Sequence, residues 1–183
     1  MSRVLGIMGS PRKQGNTHVL LQEILEGALA EGADTEMVLL GDVDIGECDG
    51  CHACWRGKPC PRMDDMNGLY PKITDSDALI FATPVYWYGP TALMKAFLDR
   101  FVYFNCPENR EKIAGTTCVL AVVFEEDSND AAGPLVDMFE KSFEYLKVVH
   151  TETILVPGVT KRGEIAKKSD VMARAFELGK TLV

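Results

Sequence analysis

The 183-residue chain has no apolar run approaching the ~20 residues needed to cross a bilayer, which argues against a helical membrane span. It also lacks a basic excess: 19 Lys and Arg stand against 27 Asp and Glu, a formal net charge of −8. A protein that tracks a nucleic-acid backbone needs a basic face, and an anionic membrane surface would repel this one. Both partner classes are therefore set aside. The N-terminus "MSRVLGIMGSPRKQGNT" has one basic residue before a short strand-like run and no small-residue cleavage site. It does not read as a signal peptide, so the expected compartment is the cytoplasm. No internal repeat, low-complexity tract or linker appears, and the expectation is one domain over 1–183. Glycine spacing fits neither G-x-G-x-x-G nor the P-loop, so the two common nucleotide signatures are missing too. Histidine is scarce, and His18 and His150 have no evident partner.

What is present is alternation. Short apolar runs at Val4–Met8, Thr35–Leu40, Ala78–Pro84, Thr117–Phe124 and Thr151–Val156 read as buried strands. Between them, helix-period stretches occupy Thr17–Ala30, Met66–Thr74, Thr91–Phe104 and Pro134–Lys147, and Glu164–Leu182 closes the chain. Apolar strands alternating with helices predict an α/β fold: a doubly wound, five-stranded parallel sheet in a three-layer α/β/α arrangement. Ligands of such sheets bind beyond the carboxyl ends of the strands, where strand order reverses. The loops after the first, third and fourth strands are therefore the ones to inspect.

The first of these, "GSPRKQGNT" (Gly9–Thr17), runs straight into a helix. A helix N-terminus offers unpaired N–H groups and a positive dipole end, which together suit an anion. Ser10, Asn16 and Thr17 can donate from side chains, Gly15 permits close backbone approach, and Arg12 or Lys13 can add charge. An ordinary turn with Asn16 or Thr17 as the helix N-cap is the plainer alternative. The third-strand loop, "TPVYWYGP" (Thr83–Pro90), holds three aromatics between two prolines. Tyrosine and tryptophan tips need partners when desolvated. A flat heterocycle lying against Pro84, Val85, Tyr86, Trp87, Tyr88 and Gly89, its phosphate on the first loop, accounts for both features. An aromatic subunit contact is the alternative.

A compact insertion at about 46–66 contains "CDGCHACWRGKPC", with Cys48, Cys51, Cys54 and Cys60 spaced C-x2-C-x2-C-x5-C. In a reducing compartment such clustering suggests metal or redox chemistry more than a disulfide framework. Structural zinc usually takes two C-x2-C pairs separated by a longer loop. Three cysteines at x2 intervals are closer to a ferredoxin-type run, although the ending here is x5-C-P. A cluster, bare thiols and zinc all remain open on spacing alone. Cys118 lies mid-strand as a core residue, Cys106 has no assigned role, and His52 reads as a surface residue.

Together the three motifs resemble the flavodoxin-like FMN reductases, and within them the iron–sulfur flavoproteins. "GSPRKQGNT" is similar to that family's phosphate loop and "TPVYWYG" to its isoalloxazine loop. The cysteine spacing and the following "MDDM" (Met63–Met66) agree as well. The resemblance implies a flavodoxin-like fold, bound FMN and a homo-oligomer (dimer or tetramer) with flavins near subunit interfaces. It leaves a [4Fe–4S] cluster on the four cysteines and bare thiols both open, since cluster-free relatives share much of the segment. It places Ser10, Arg12, Gly15, Asn16 and Thr17 on the FMN phosphate and Pro84–Gly89 along the ring. NAD(P)H is the implied donor if the thiols are bare, and a ferredoxin-like protein if they hold a cluster. No side chain stands out as a catalytic acid, base or nucleophile. One departure is "FEEDSND" (Phe124–Asp130), acidic where relatives often have a glycine-containing loop. The expected function is an FMN-dependent oxidoreductase. A flavodoxin-type electron carrier and a flavin-free binding module are the alternatives. Aromatic surface at Trp87, Tyr88, Phe101, Tyr103 and Phe104 is expected to make the subunit contact.

Overall fold

The computed structural model describes residues 1–183. Its strands are β1 (Arg3–Met8), β2 (Asp34–Leu39), β3 (Ala78–Pro84), β4 (Thr117–Val123) and β5 (Val149–Val156). All neighbours pair in parallel in the order β2-β1-β3-β4-β5, the flavodoxin-like topology. The helices are α1 (Asn16–Ala30), α2 (Met66–Thr74), α3 (Ala92–Asp99), the short α4 (Pro107–Arg110), α5 (Gly133–Leu146) and α6 (Ser169–Lys180).

Side chains alternate across the sheet, so one strand feeds two cores. Leu5, Ile7, Leu79, Phe81, Leu120 and Val122 pack with α2, α3 and α5. Val4, Met8, Ile80, Ala82, Val119 and Ala121 face α1 and α6. The result is the expected three layers. Helices α1 and α6 touch backbone to backbone through glycines. A Cβ on Gly27 would lie 2.0 Å from the Phe176 carbonyl oxygen, and one on Gly179 would lie 1.9 Å from that of Ile24. No larger residue fits either position unless the helices separate.

One expected element breaks. The helix read over Thr91–Phe104 ends at Asp99 and continues as a 3-10 turn over Arg100–Asn105. The tighter winding aligns positions three apart, so Phe101 and Phe104 point into the same core. Both are buried, which corrects the expectation that they form aromatic surface. The charge in "FLDRFVYF" turns inward as well: the Arg100 side chain is 1% exposed. The C-terminal helix is likewise interrupted. A 3-10 turn spans Glu164–Lys167, and α6 proper starts at Ser169.

Candidate cofactor site

The strand order reverses between β1 and β3, and their two loops meet at the carboxyl edge of the sheet. Thr91 joins them. Its hydroxyl donates to the Gly9 carbonyl and accepts the Met94 N–H at 3.2 Å, capping α3.

On the β1 side, the N-cap of α1 is Gly15, and no side chain caps the helix. Asn16 and Thr17 therefore do not serve as the cap that the alternative reading allowed. The first-turn N–H groups are left for another acceptor. Thr17 is 2% exposed, yet its hydroxyl has no hydrogen-bond partner in the protein. The buried Ser10 hydroxyl accepts the Arg12 N–H at 3.2 Å, and its own proton has no protein acceptor. Hydroxyls on two largely buried residues, Ser10 and Thr17, beside uncapped N–H groups fit an oxyanion. Arg12 and Lys13 are exposed at the mouth, with Lys13 paired to Asp42 at 2.7 Å. Asn16 is placed differently from a direct phosphate donor. Its amide donates to the Lys161 carbonyl at 3.0 Å and accepts the Ile165 N–H at 3.2 Å, tying the loop to the segment after β5.

On the β3 side, the Val85 N–H bonds the Val123 carbonyl, which fixes the loop to β4. Tyr86 and Gly89 then exchange backbone hydrogen bonds of 2.8 and 3.1 Å across a two-residue turn. Its central residues, Trp87 and Tyr88, have φ of 49° and 63°. Such turns normally take Asn-Gly or Gly-Gly, and a bulky residue there is strained. Trp87 is 96% exposed. A strained turn that presents exposed aromatics, joined through Thr91 to the hydroxyl-lined start of α1, suits a flat, phosphorylated ligand. The acidic loop after β4 is anchored to the segment after β5: the carbonyls of Glu126 and Phe124 accept N–H groups from Gly158 and Val159.

The four cysteines line one small pocket, with Tyr70, Arg100 and Val102 in its wall. Cys51 is exposed, Cys48 and Cys60 are half-buried and Cys54 is buried. Burial, together with the nearby Cys48 and Cys60 sulfurs, pushes the Cys54 thiol up. All six cysteines are free thiols, and no three His, Cys, Asp or Glu side chains converge to hold a metal. The donors thus share a pocket without closing on a common point. His52 is at the surface as expected, its ring tilted against that of Trp55, while Cys106 and Cys118 are buried.

Behind the pocket, the Arg100 guanidinium donates to the Gly46 carbonyl at 2.9 Å, to Cys60 Sγ at 3.4 Å and to the Asp64 carboxylate. Burial pushes the Asp64 carboxyl up. The Arg100 hydrogen bond, the Gly46 N–H and the guanidinium charge outweigh that and hold it below the usual range. Neither this pair nor the contacts after β5 were evident in the sequence. An arginine among aromatics reads as a surface residue, and "VPGVTKRGE" reads as a connecting loop. The only available signal was that the loop after β5 also leaves the carboxyl edge.

Residues 2–148 match the NADPH-dependent FMN reductase family. An iron–sulfur flavoprotein of Archaeoglobus fulgidus is 38% identical over 180 residues, covering 96% of this chain and 80% of that protein. One from Methanocaldococcus jannaschii is 39% identical over 98 residues, 54% of this chain and 51% of its own. That match spans only about half of the relative's length. In structure, the NAD(P)H:quinone oxidoreductase of Methanothermobacter marburgensis superposes with a TM-score of 0.73 at 19% identity, covering 100% of this chain and 99% of that one. The last likeness supports the fold alone. No helix is long and apolar enough to cross a membrane. On the extent of the family match and the full-length likeness to an iron–sulfur flavoprotein, the chain belongs to the NADPH-dependent FMN reductase family.

Proposed function

We propose that the protein is an FMN-dependent oxidoreductase that accepts electrons from NAD(P)H, with its flavin at the β1/β3 switch point. The observation that carries this reading is the pairing of an uncapped, hydroxyl-lined helix start with the strained aromatic turn, joined by Thr91. FMN, when bound, supplies the hydride and electron chemistry. Ser10, Gly15 and Thr17 hold the phosphate, Arg12 and Lys13 balance its charge, and Pro84–Gly89 support the ring. Asn16 acts by fixing the loop. The solvent-facing Trp87 and Tyr88 make the same turn the natural contact of a homo-oligomer.

The cysteine pocket carries the finer half of the proposal, a [4Fe–4S] cluster on Cys48, Cys51, Cys54 and Cys60. Its support is a single pocket shared by four thiols and the relatives named as iron–sulfur flavoproteins. Because these side chains do not converge, metal binding would have to draw them together and would contribute folding energy in doing so. Anaerobically purified protein tests both halves. FMN fluorescence should quench on titration, and Thr17→Ala should weaken binding by about 1 kcal/mol or more. Stoichiometric iron and acid-labile sulfide, lost together in Cys54→Ala while FMN stays, are expected for the cluster. Flavin without iron or sulfide would reduce the reading to a bare-thiol reductase driven by NAD(P)H. With a cluster present, reduction by a ferredoxin-like protein becomes the donor assay. No flavin uptake by folded protein would end the reading altogether.

A further inference from the structure

The segment after β5 grips the phosphate loop more tightly than a connecting loop needs to. Arg162 reaches back to the Lys13 carbonyl with Nε at 3.0 Å and with a second guanidinium N–H. Asn16 bridges Lys161 and Ile165 with both ends of its amide. The Glu164 carboxylate folds under the segment and accepts the Lys161 N–H at 2.6 Å. Gln14, two residues from the start of α1, is held at φ 57°, a conformation that a non-glycine residue keeps only when its surroundings impose it. Arg12, Lys13 and Arg162 line one cleft with Pro11, and since Lys13 is paired with Asp42, the two arginines are its unpaired cations in a chain of net charge −8. The guanidinium has five N–H donors, and the Lys13 carbonyl takes only two of them. Arg162 also lies beyond residues 2–148, the part of the chain that matches the family.

From these contacts we infer that Arg162 is a positioning residue of the phosphate site. It fixes the phosphate loop through the Lys13 carbonyl and adds a cationic wall for the phosphate monoester of the flavin nucleotide. The inference rests on the proposed FMN site and makes it depend on the C-terminal part of the chain. It requires discrimination by the phosphate: riboflavin has the same ring without the anion and gains nothing from Arg162.

The test is fluorescence titration of flavin-free protein with FMN and with riboflavin, for wild type, Arg162→Gln and Arg162→Lys, at low and high salt. Arg162 is exposed, so Arg162→Gln should keep the wild-type circular dichroism spectrum. It should weaken FMN by about tenfold or more, as expected for a lost charge-assisted contact, and leave riboflavin affinity unchanged. The salt dependence of FMN binding should flatten in the same variant. Arg162→Lys should recover the salt dependence but only part of the affinity, because an ammonium lacks the planar fork that holds the Lys13 carbonyl. Equal FMN affinity in wild type and Arg162→Gln would overturn the inference while leaving the FMN site intact. So would an equal loss of FMN and riboflavin. A wild type that binds neither flavin removes the underlying site reading itself.

Discussion

The phosphate loop and the cysteine segment, two candidate sites in one fold, are held in opposite ways. The loop after β1 is tied from several elements: Thr91 at the start of α3, the segment after β5 and the N-terminus of α1. Its helix start carries no side-chain cap, so its first-turn N–H donors need an acceptor from outside the helix. The cysteine segment has a single three-residue 3-10 turn, Cys54–Arg56, and is anchored from behind by the buried Arg100. Its four thiols share a pocket but do not meet. An anion site built from backbone N–H groups can be complete before its ligand arrives, because helix formation alone creates the unpaired donors. A thiolate site gains its final geometry from the ion it binds. The first site should therefore respond to changes in its scaffold, and the second to changes in its anchor.

The largest effect should come from the anchor. Asp64→Ala leaves the Arg100 charge buried without its carboxylate, a change that typically costs about 3–5 kcal/mol. Urea melts of the metal-free protein should show it, with the cysteine segment the first part to lose protection from hydrogen exchange. The same pair sets an acid limit. The Asp64 carboxyl is lowered in the fold, so its contribution is fully present above the ordinary carboxylate value near ~4 and is lost as the pH falls through the lowered one. Wild type should therefore lose stability more steeply on acidification than Asp64→Asn.

Next comes the scaffold of the other site. Gly27→Ala places a methyl against the Phe176 carbonyl and should cost about 3 kcal/mol or more by forcing α1 and α6 apart. Because α1 carries the phosphate loop, FMN affinity should fall with stability, whereas in Asp64→Ala it should hold. Equal losses of FMN binding in the two variants would erase the distinction between the regions.

The smallest effect should have opposite signs in two assays. Trp87→Gly relieves one left-handed residue of the turn and should raise stability by about 1 kcal/mol in chemical melts. The same variant should bind flavin less well, having lost the exposed ring. A variant that loses both stability and binding would show that the turn is not strained.

The sheet and its order were legible because strands buried on both faces read as uninterrupted apolar runs, "VLGIM" and "ALIFATP" among them. That the loops after β1 and β3 would meet at one edge of the sheet followed from the predicted topology and the carboxyl-edge rule. What stayed hidden depended on pairings far apart in the chain. Arg100 finds Asp64 across 36 residues, and Asn16 finds Ile165 across 149, so neither leaves a local pattern. The inward turn of "RFVYF" was masked because four-residue apolar spacing is equally the signature of a continuing helix. The backbone of Trp87 and Tyr88 was hidden by the rule that bulky residues avoid that region, the rule that this turn breaks.

The glycine contact between α1 and α6 also bears on the timing of biosynthesis. Helix α1 is synthesised well before α6. While residues 162–180 remain in the exit tunnel, the face of α1 around Gly27 has no partner, and the phosphate loop lacks its clasp at Asn16. The nascent chain therefore has the residues of this candidate loop long before it has the loop's frame. Any ligand of that loop therefore meets its complete frame only after α6 has docked on α1, so loss of α6 should loosen a loop that lies more than a hundred residues before it.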